Sequence, residues 1–225
     1  SQSGTVLITN GEIYNHIFLR NNNSQYPWIT NGDSETILAL HESAIASCQT
    51  KLSAKQHAKW ISQLNGMYAI AIWNPKEKQL LLARDPLGIK PLVRTEVNGS
   101  LLFASEAKAL RAHEGHIPQI DELALIARLA WEYPLDGTTL LKGVAQVRPG
   151  TVETWSIDDN GCATITGKAT RHTADTATPL ANGIFFSICL AICLFMLMFY
   201  AVIIVCMFIK IWGVNTYKNI WFFCF

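Results

Sequence analysis

The sequence predicts an α+β fold built on antiparallel sheets, and three observations predict it. Short apolar runs recur through residues 1–157 and are joined by tight turn signals rather than by crossover-length helices. Only two or three amphipathic helical stretches interrupt those runs. No G-x-G-x-x-G and no phosphate-binding loop of the G-x-x-x-x-G-K type occurs, so nothing points to a doubly wound parallel sheet. With 225 residues the chain holds one ordinary domain of about 150 residues and something more.

The elements follow in order. Val6 to Ile8 is a short β-branched and aliphatic run that reads as a buried strand, stopped by Asn10-Gly11. A side-chain amide and a backbone N–H thus stand together at a strand end. Such a pair, the Asn10 carboxamide and the Gly11 amide, is what holds the oxyanion of a tetrahedral intermediate, and Glu12 adds an acceptor beside them. A plain Asn-Gly turn is the alternative reading of the same residues. Asn15 is placed to cap a short helix carrying Ile17, Phe18 and Leu19. Asp33 or Ser34 caps a helix of about three turns with Ile37, Leu38, Leu40, Ala44 and Ile45 at helical spacing. Asp33 therefore projects at a helix N-terminus, either as a simple cap or as a binding carboxylate.

Lys55 to Leu64 reads as a second helix with Trp60, Ile61 and Leu64 inward, broken by Asn65-Gly66. Met67 to Trp73 has no polar relief and suits a strand buried on both faces. Gln79 to Ala83 is the returning strand, and Arg84-Asp85-Pro86-Leu87-Gly88 a tight corner in which Arg84 and Lys90 hold the bend rather than a phosphate. Asn98-Gly99 is a type I′ hairpin signal between a strand ending near Val97 and the strand Leu101 to Ala104. A short helix begins in Ser105 to Leu110, and Asp121 caps another through Leu123, Ile126, Leu129 and Ala130. Thr138 to Val147 and Thr151 to Ile157 read as two final strands. His113-Glu114-Gly115-His116 lacks the spacing of a helical zinc motif and reads as a solvated loop; no metal site is expected.

Beyond the body, residues 158–182 are rich in Thr, Ala, Asp and Gly and read as a linker. Residues 183–212 read as a transmembrane-like helix, because Ile184 to Ile209 holds only Ser187 as a strongly polar residue. At 1.5 Å per residue that run spans about 39 Å, enough to cross a bilayer with tilt. Lys210, Trp212, Tyr217, Lys218 and Trp221 follow as interface anchors, the last four within the short tail 213–225 or at its edge.

A net charge of +1 suggests no polyanionic partner, and no nucleic-acid partner is expected. The overall 50% hydrophobic and 16% charged content averages a mixed body with a nearly hydrocarbon end. Of six cysteines, only Cys48 and Cys162 lie in the body, without paired spacing, so a reducing compartment fits better than a disulfide framework. Ser1 in place of Met, with no signal peptide before the first strand, suggests a sequence that starts inside a longer protein.

Five ordered motifs then carry a resemblance. Asn10-Gly11-Glu12-Ile13-Tyr14-Asn15-His16, Gly32-Asp33-Ser34-Glu35-Thr36, the stretch Leu64 to Trp73, the stretch Ala83 to Leu92 and the stretch Phe103 to Leu110 are similar to the glutamine amidotransferase half of glutamine-hydrolysing asparagine synthetases. The resemblance implies an N-terminal-nucleophile fold, a four-layer α/β/β/α sandwich, here incomplete at its N-terminus. It implies glutamine as substrate, Asn10 and Gly11 as the oxyanion hole, Glu12 as a glutamine ligand and Asp33 as partner of the α-ammonium. Glu12 with Tyr14 favours the asparagine synthetase branch over other glutaminases.

In that family a Cys at the mature N-terminus attacks the amide, with its own α-amine as base. Only nine residues precede Asn10, so the nucleophile and the arginine for the glutamine carboxylate are absent from this sequence, and Cys48 lies after a helix and does not substitute. The synthetase half is absent too, and ATP and Mg are expected only there; its ammonia would amidate aspartate. Two expectations follow. One is an asparagine synthetase-like amidotransferase portion, cytoplasmic as the family is, inactive alone and served by a synthetase domain or subunit. The other is a single-pass, membrane-anchored, non-catalytic module binding glutamine or a partner, should the apolar end be genuine.

Overall fold

Eight strands, every pairing antiparallel, build two sheets among the described residues of this computed structural model, which are 3–48, 50–132, 137–158, 161–170, 194, 195 and 198. β1 (Val6–Ile13), β2 (Gly66–Asn74), β3 (Gln79–Arg84), β7 (Thr151–Ile157) and β8 (Ala163–Thr170) form a five-stranded sheet in the order β1-β2-β3-β7-β8. β4 (Val93–Val97), β5 (Ser100–Ala104) and β6 (Ala145–Gln146) form a second sheet, ordered β5-β4-β6. Helices α1 (His16–Asn22), α2 (Ser34–Ala46) and α3 (Ala54–Ile61) join β1 to β2. The α+β, antiparallel expectation is therefore met.

The alternation along β2 sets the layers. Tyr68, Ile70 and Ile72 point to one face and pack with Ile37 and Leu40 of α2 and Trp60 and Ile61 of α3. Ala69 and Ala71 point to the other, where they meet Leu82, Leu92, Val147 and Trp155 between the sheets. A large residue at every second position suits a helix layer about 10 Å away, and the alanines allow close approach of the second sheet. α3 starts with a capping box, Ser53 Oγ accepting from the Gln56 amide and the Gln56 side chain accepting from Ser53 N–H. On the outer face of the second sheet, Val93, Leu110 and Val144 form a small cluster under a 3₁₀ helix, Ala107–Ala112.

Glu153, fully buried, ties the sheets together. It accepts from Arg94 Nε of β4 at 2.6 Å and from Lys168 Nζ of β8 at 2.9 Å. Arg94 also lies over the Trp155 ring. A buried carboxylate needs such partners, because its desolvation is otherwise uncompensated.

Three readings of the sequence are corrected. Asn10-Gly11 does not end β1, which continues to Ile13 because Glu12 and Ile13 pair with Met67 and Gly66. Thr138 to Val147 is not one strand: only Ala145–Gln146 joins the sheet, with isolated bridges at Thr138 and Leu141, and Gly143 turns the chain at positive φ. Part of the stretch 158–182, composed like a linker, is strand β8, whose Thr and Ile residues pair along β7 with a register shift at Thr154/Trp155. Ile17 and Phe18 stay exposed while Leu19 alone buries α1.

The chain divides into two units, Ser1–His172 and Thr173–Phe225. In the second, Leu194, Phe195 and Met198 are helical; the predicted span over 183–212 and the tail 213–225 otherwise lie outside the described residues. Among the described residues no helix is long and apolar enough to cross a membrane.

Candidate active site

Among the described residues β1 is an edge strand, paired on one side only, and it carries Asn10, Gly11 and Glu12 exposed near its C-terminal end. Its register against β2 is set by two glycines. Gly11 has φ +149°, and a Cβ there would fall on the Met67 carbonyl; a Cβ at Gly66 would fall on the Glu12 carbonyl. Gly11 lies opposite Tyr68 and Gly66 opposite Ile13, two rungs apart on the ladder, and each glycine lets the partner backbone come close.

The strand end is fastened by its neighbours. Tyr14 N–H donates to Asn65 O at 2.7 Å. Asn15 Nδ2 donates to Gln63 O at 2.8 Å, and its Oδ1 accepts from Asn65 N–H at 2.9 Å. Asn15 sits at the N-cap of α1 but makes no capping bond, so its amide is a clasp between β1 and β2 instead.

Asp33 is likewise not a side-chain cap. Its backbone is helical and its Oδ2 accepts from Ile13 N–H at 2.8 Å, while Ser34 Oγ donates to Oδ1 at 3.3 Å. This brings Asp33 to the residue next to Glu12, uniting two candidates that lie 21 positions apart in sequence. A carboxylate has about four lone-pair positions, and the two bonds leave capacity for a further cation. The Asn10 carboxamide donates to Ser105 Oγ at 3.2 Å, linking β1 to the end of β5. Glu12 is exposed.

The face of β1 that carries Asn10 also carries Ile8 and Val6, opposite Ala71 and Trp73. Farther into the sheet that face is covered by the second sheet, yet Val6 and Ile8 are 53% and 61% exposed. Among the described residues the second sheet ends at β5, whose outer edge is unpaired. The candidate site therefore opens onto a bare apolar strip between two free strand edges.

Arg84 and Asp85 hold the next corner. Asp85, buried, accepts from the amides of Leu87, Ile89 and Lys90, and Arg84 donates to the carbonyls of Gly88, Lys90 and Val147. Asp85 N–H in turn donates to Tyr68 O, so this corner supports the β2 residue that pairs with Gly11. Lys90 takes part through its backbone. His113 Nδ1 accepts from Gly115 N–H. Cys48 lies past the C-terminal end of α2, and a 13-residue helix puts it about 20 Å from Asp33. Cys162 sits in the β7–β8 turn, at the end of the sheet away from Asn10.

Sequence reasoning did not single out Ser105 or the Asn15 clasp. Ser105 lies within a stretch that resembles the family, and a hydroxyl just after a strand was the available signal. Asn15 was hidden by its position before a helix, where a capping role competes.

With this geometry in view, the comparisons are informative. The family model described as the glutamine amidotransferase domain matches residues 1–165. The chain belongs to this family. As a glutamine amidotransferase domain, it is similar to asparagine synthetase [glutamine-hydrolyzing] 1 of Bacillus subtilis, 38% identical over 146 residues, which are 64% of this chain and 21% of that protein. It is similar also to asparagine synthetase 3 of the same organism, 32% identical over 158 residues, 68% of this chain and 23% of the relative. Asparagine synthetase 3 of Arabidopsis thaliana is 35% identical over 112 residues, 49% of this chain and 17% of that one. The chain thus spans about a fifth of the length of the curated relatives it matches. Among solved structures, an allosteric regulatory enzyme of purine biosynthesis superposes with TM-score 0.50 at 20% identity, covering 77% of this chain and 30% of that one, a likeness of fold alone.

Proposed function

We propose that this amidotransferase domain hydrolyses the side-chain amide of glutamine and delivers ammonia to an ATP-dependent portion that amidates aspartate. The observation that carries the reading is the joining of Asn10, Gly11, Glu12 and Asp33 at one strand end through the Asp33 to Ile13 bond. In the reaction a thiolate attacks the glutamine amide carbon, and the C–N bond breaks after a tetrahedral intermediate. Water then cleaves the thioester to glutamate. Asn10 and the Gly11 amide bind the developing oxyanion, and Asn10 gives up its bond to Ser105 to do so. Asp33 and Glu12 take the α-ammonium and the polar flank of glutamine.

The reading assigns the thiol to an upstream strand of the family fold, and we place that strand over the exposed Val6 and Ile8, with its first residue near Asn10. ATP and Mg belong to the amide-forming portion; the residues here lack its Ser-Gly-Gly-x-Asp-Ser loop, and no step runs through them. A cytoplasmic location is part of this reading. Ammonia release from glutamine tests the reading: none from the chain as it stands, release once a family-like segment beginning with Cys is joined upstream. Robust release from the unaltered chain would place the nucleophile elsewhere, Cys48 being the first residue to substitute.

A further inference from the structure

Residues 27–32 carry the chain from α1 to α2 without joining a helix or a strand, so their backbone donors and acceptors have no ladder to enter. Two side chains of opposite charge meet them instead. Glu35, in the first turn of α2, accepts from the amides of Ile29 and Thr30 at 2.8 and 2.7 Å and from the Thr30 hydroxyl at 2.7 Å. Arg20, in the last turn of α1, donates from Nη2 to Thr30 O at 2.6 Å and from Nη1 to Gly32 O at 3.3 Å. Its guanidinium lies 4.0 Å from the centre of the Trp28 ring. Burial alone raises the Glu35 carboxyl, but the Ile29 and Thr30 donors and the nearby Arg20 hold it below its ordinary value, so both side chains are charged at neutral pH.

These bonds act on Asp33. Gly32 O belongs to the planar peptide that joins Gly32 to Asp33, so Arg20 fixes the plane from which Asp33 departs. The Asp33 carboxylate then accepts from Ile13 N–H at 2.8 Å. Tyr14 N–H crosses the ladder to Asn65 O, and alternation along a strand turns the Ile13 N–H the other way, off the ladder, where Asp33 meets it. The contacts close a ring: Ile13 leads into α1, Arg20 of α1 bonds Gly32, and Asp33 returns to Ile13 beside Glu12. With both Nη groups on carbonyls and its flat face on Trp28, Arg20 is committed to this segment rather than to a ligand.

We propose that Arg20 and Glu35 are positioning residues for glutamine: they clamp residues 29–32 between them and so hold the Asp33 carboxylate beside Glu12, where it receives the α-ammonium. The assignment rests on the function proposed above. Neither residue touches substrate. A displaced Asp33 costs the ground state and the transition state the same contact, so the clamp acts on KM rather than on kcat.

In the whole chain, residues 1–225, amide hydrogen exchange reads the Asp33 to Ile13 bond directly. Arg20→Met keeps the hydrocarbon stem and removes the charge and both carbonyl bonds, and Glu35→Gln sets an amide donor against the donors of Ile29 and Thr30. Each should speed exchange at Ile13 roughly tenfold, about the loss of one ordinary hydrogen bond, while exchange at Ile70 in the middle of β2 and the melting temperature stay at parent values. In the chain restored with its upstream segment, each should raise the KM for glutamine roughly tenfold with kcat little changed, and Arg20→Lys, which keeps the charge, should recover most of the loss. Exchange at Ile13 at the parent rate overturns the proposal, as does an unchanged KM where ammonia release is robust. A joint loss of Ile70 protection and melting temperature overturns it too, since both residues then serve the fold alone. Fast exchange at Ile13 in the variants, with no release by the restored parent, rejects the amidotransferase reading and leaves the clamp on Asp33 standing.

Discussion

The two faces of the five-stranded sheet are unlike, and the difference locates function. The helix-side face is closed: Ile13, Tyr68, Ile70, Ile72 and Leu81 are all buried beneath α2 and α3. The face toward the second sheet is closed over β2, β3 and β7, where Ala69, Ala71, Leu82 and Trp155 are buried, and it is bare over β1. A sheet face covered by helices connected to it directly in sequence completes itself. A face that depends on a second sheet stays open wherever that sheet lacks a strand. The candidate site lies at this boundary, with Ile13 and Asp33 rooted in the closed side and Asn10 presented on the open one.

The largest effect is expected where the open face is pinned. Glu153→Gln removes the charge that serves both Arg94 and Lys168, and breaking a buried pair typically destabilises by about 3 to 5 kcal/mol. Urea denaturation should show that loss; a change under about 1 kcal/mol would mean that apolar packing alone holds the sheets. Close behind, Gly11→Ala should destabilise by about 3 kcal/mol or more, because its Cβ collides with β2 backbone and its φ is unfavourable for L side chains. Retention of the parent midpoint would show that β1 can leave the ladder without consequence for the closed face.

The closed face carries an acid sensitivity. His41 and His57 stack with centroids 5.7 Å apart, and burial lowers each pKa to about 4. His57 Nδ1 accepts from Trp60 Nε1 at 3.1 Å, which leaves Nε2–H to donate to Gln79 Oε1 at 3.2 Å. An imidazole whose folded pKa lies below its unfolded value of 6.5 binds protons more readily when unfolded. Its contribution is complete above pH 6.5 and is lost as pH falls toward 4, on the order of 3 kcal/mol for each ring. Stability measured from pH 7.5 to 4.5 should therefore fall steeply below 6.5, and His57→Gln should flatten the curve; equal slopes would remove His57 from the account.

A smaller change tests the junction of the two faces. Asp33→Ala strands the Ile13 amide and should lower stability by about 1 to 3 kcal/mol. With the upstream segment restored it should also raise the KM for glutamine. The smallest effect belongs to the bare strip: Ile8→Thr should change the stability of the chain by less than about 0.5 kcal/mol, and more once the strand over it is supplied. A large loss in the chain itself would show that Ile8 is already covered.

Much of this was legible without coordinates. The alternation of Met67 to Trp73, the helical spacing after Ser34, the Asn98-Gly99 hairpin with both residues at positive φ, and the Asp121 cap are local patterns that stand in the structure as the sequence implies. The five motifs placed the chain in its family, and Asn10, Gly11, Glu12 and Asp33 emerged as candidates from chemistry and resemblance together. Local rules failed where pairing partners are remote. Asn10-Gly11 looks like a turn until Tyr68 and Met67 are set beside it, and residues 163–170 look like a linker until β7 offers them an edge.

The sequence by itself determined each segment's intrinsic preference, because periodicity, caps and turn residues act within a few positions. Only the tertiary structure decided that Asp33 bonds Ile13, that Asn15 clasps Asn65, and that Glu153 draws Arg94 and Lys168 into the interior. These are contacts across tens of residues, and their strength comes from desolvation and close approach, which exist only once the sheets have closed.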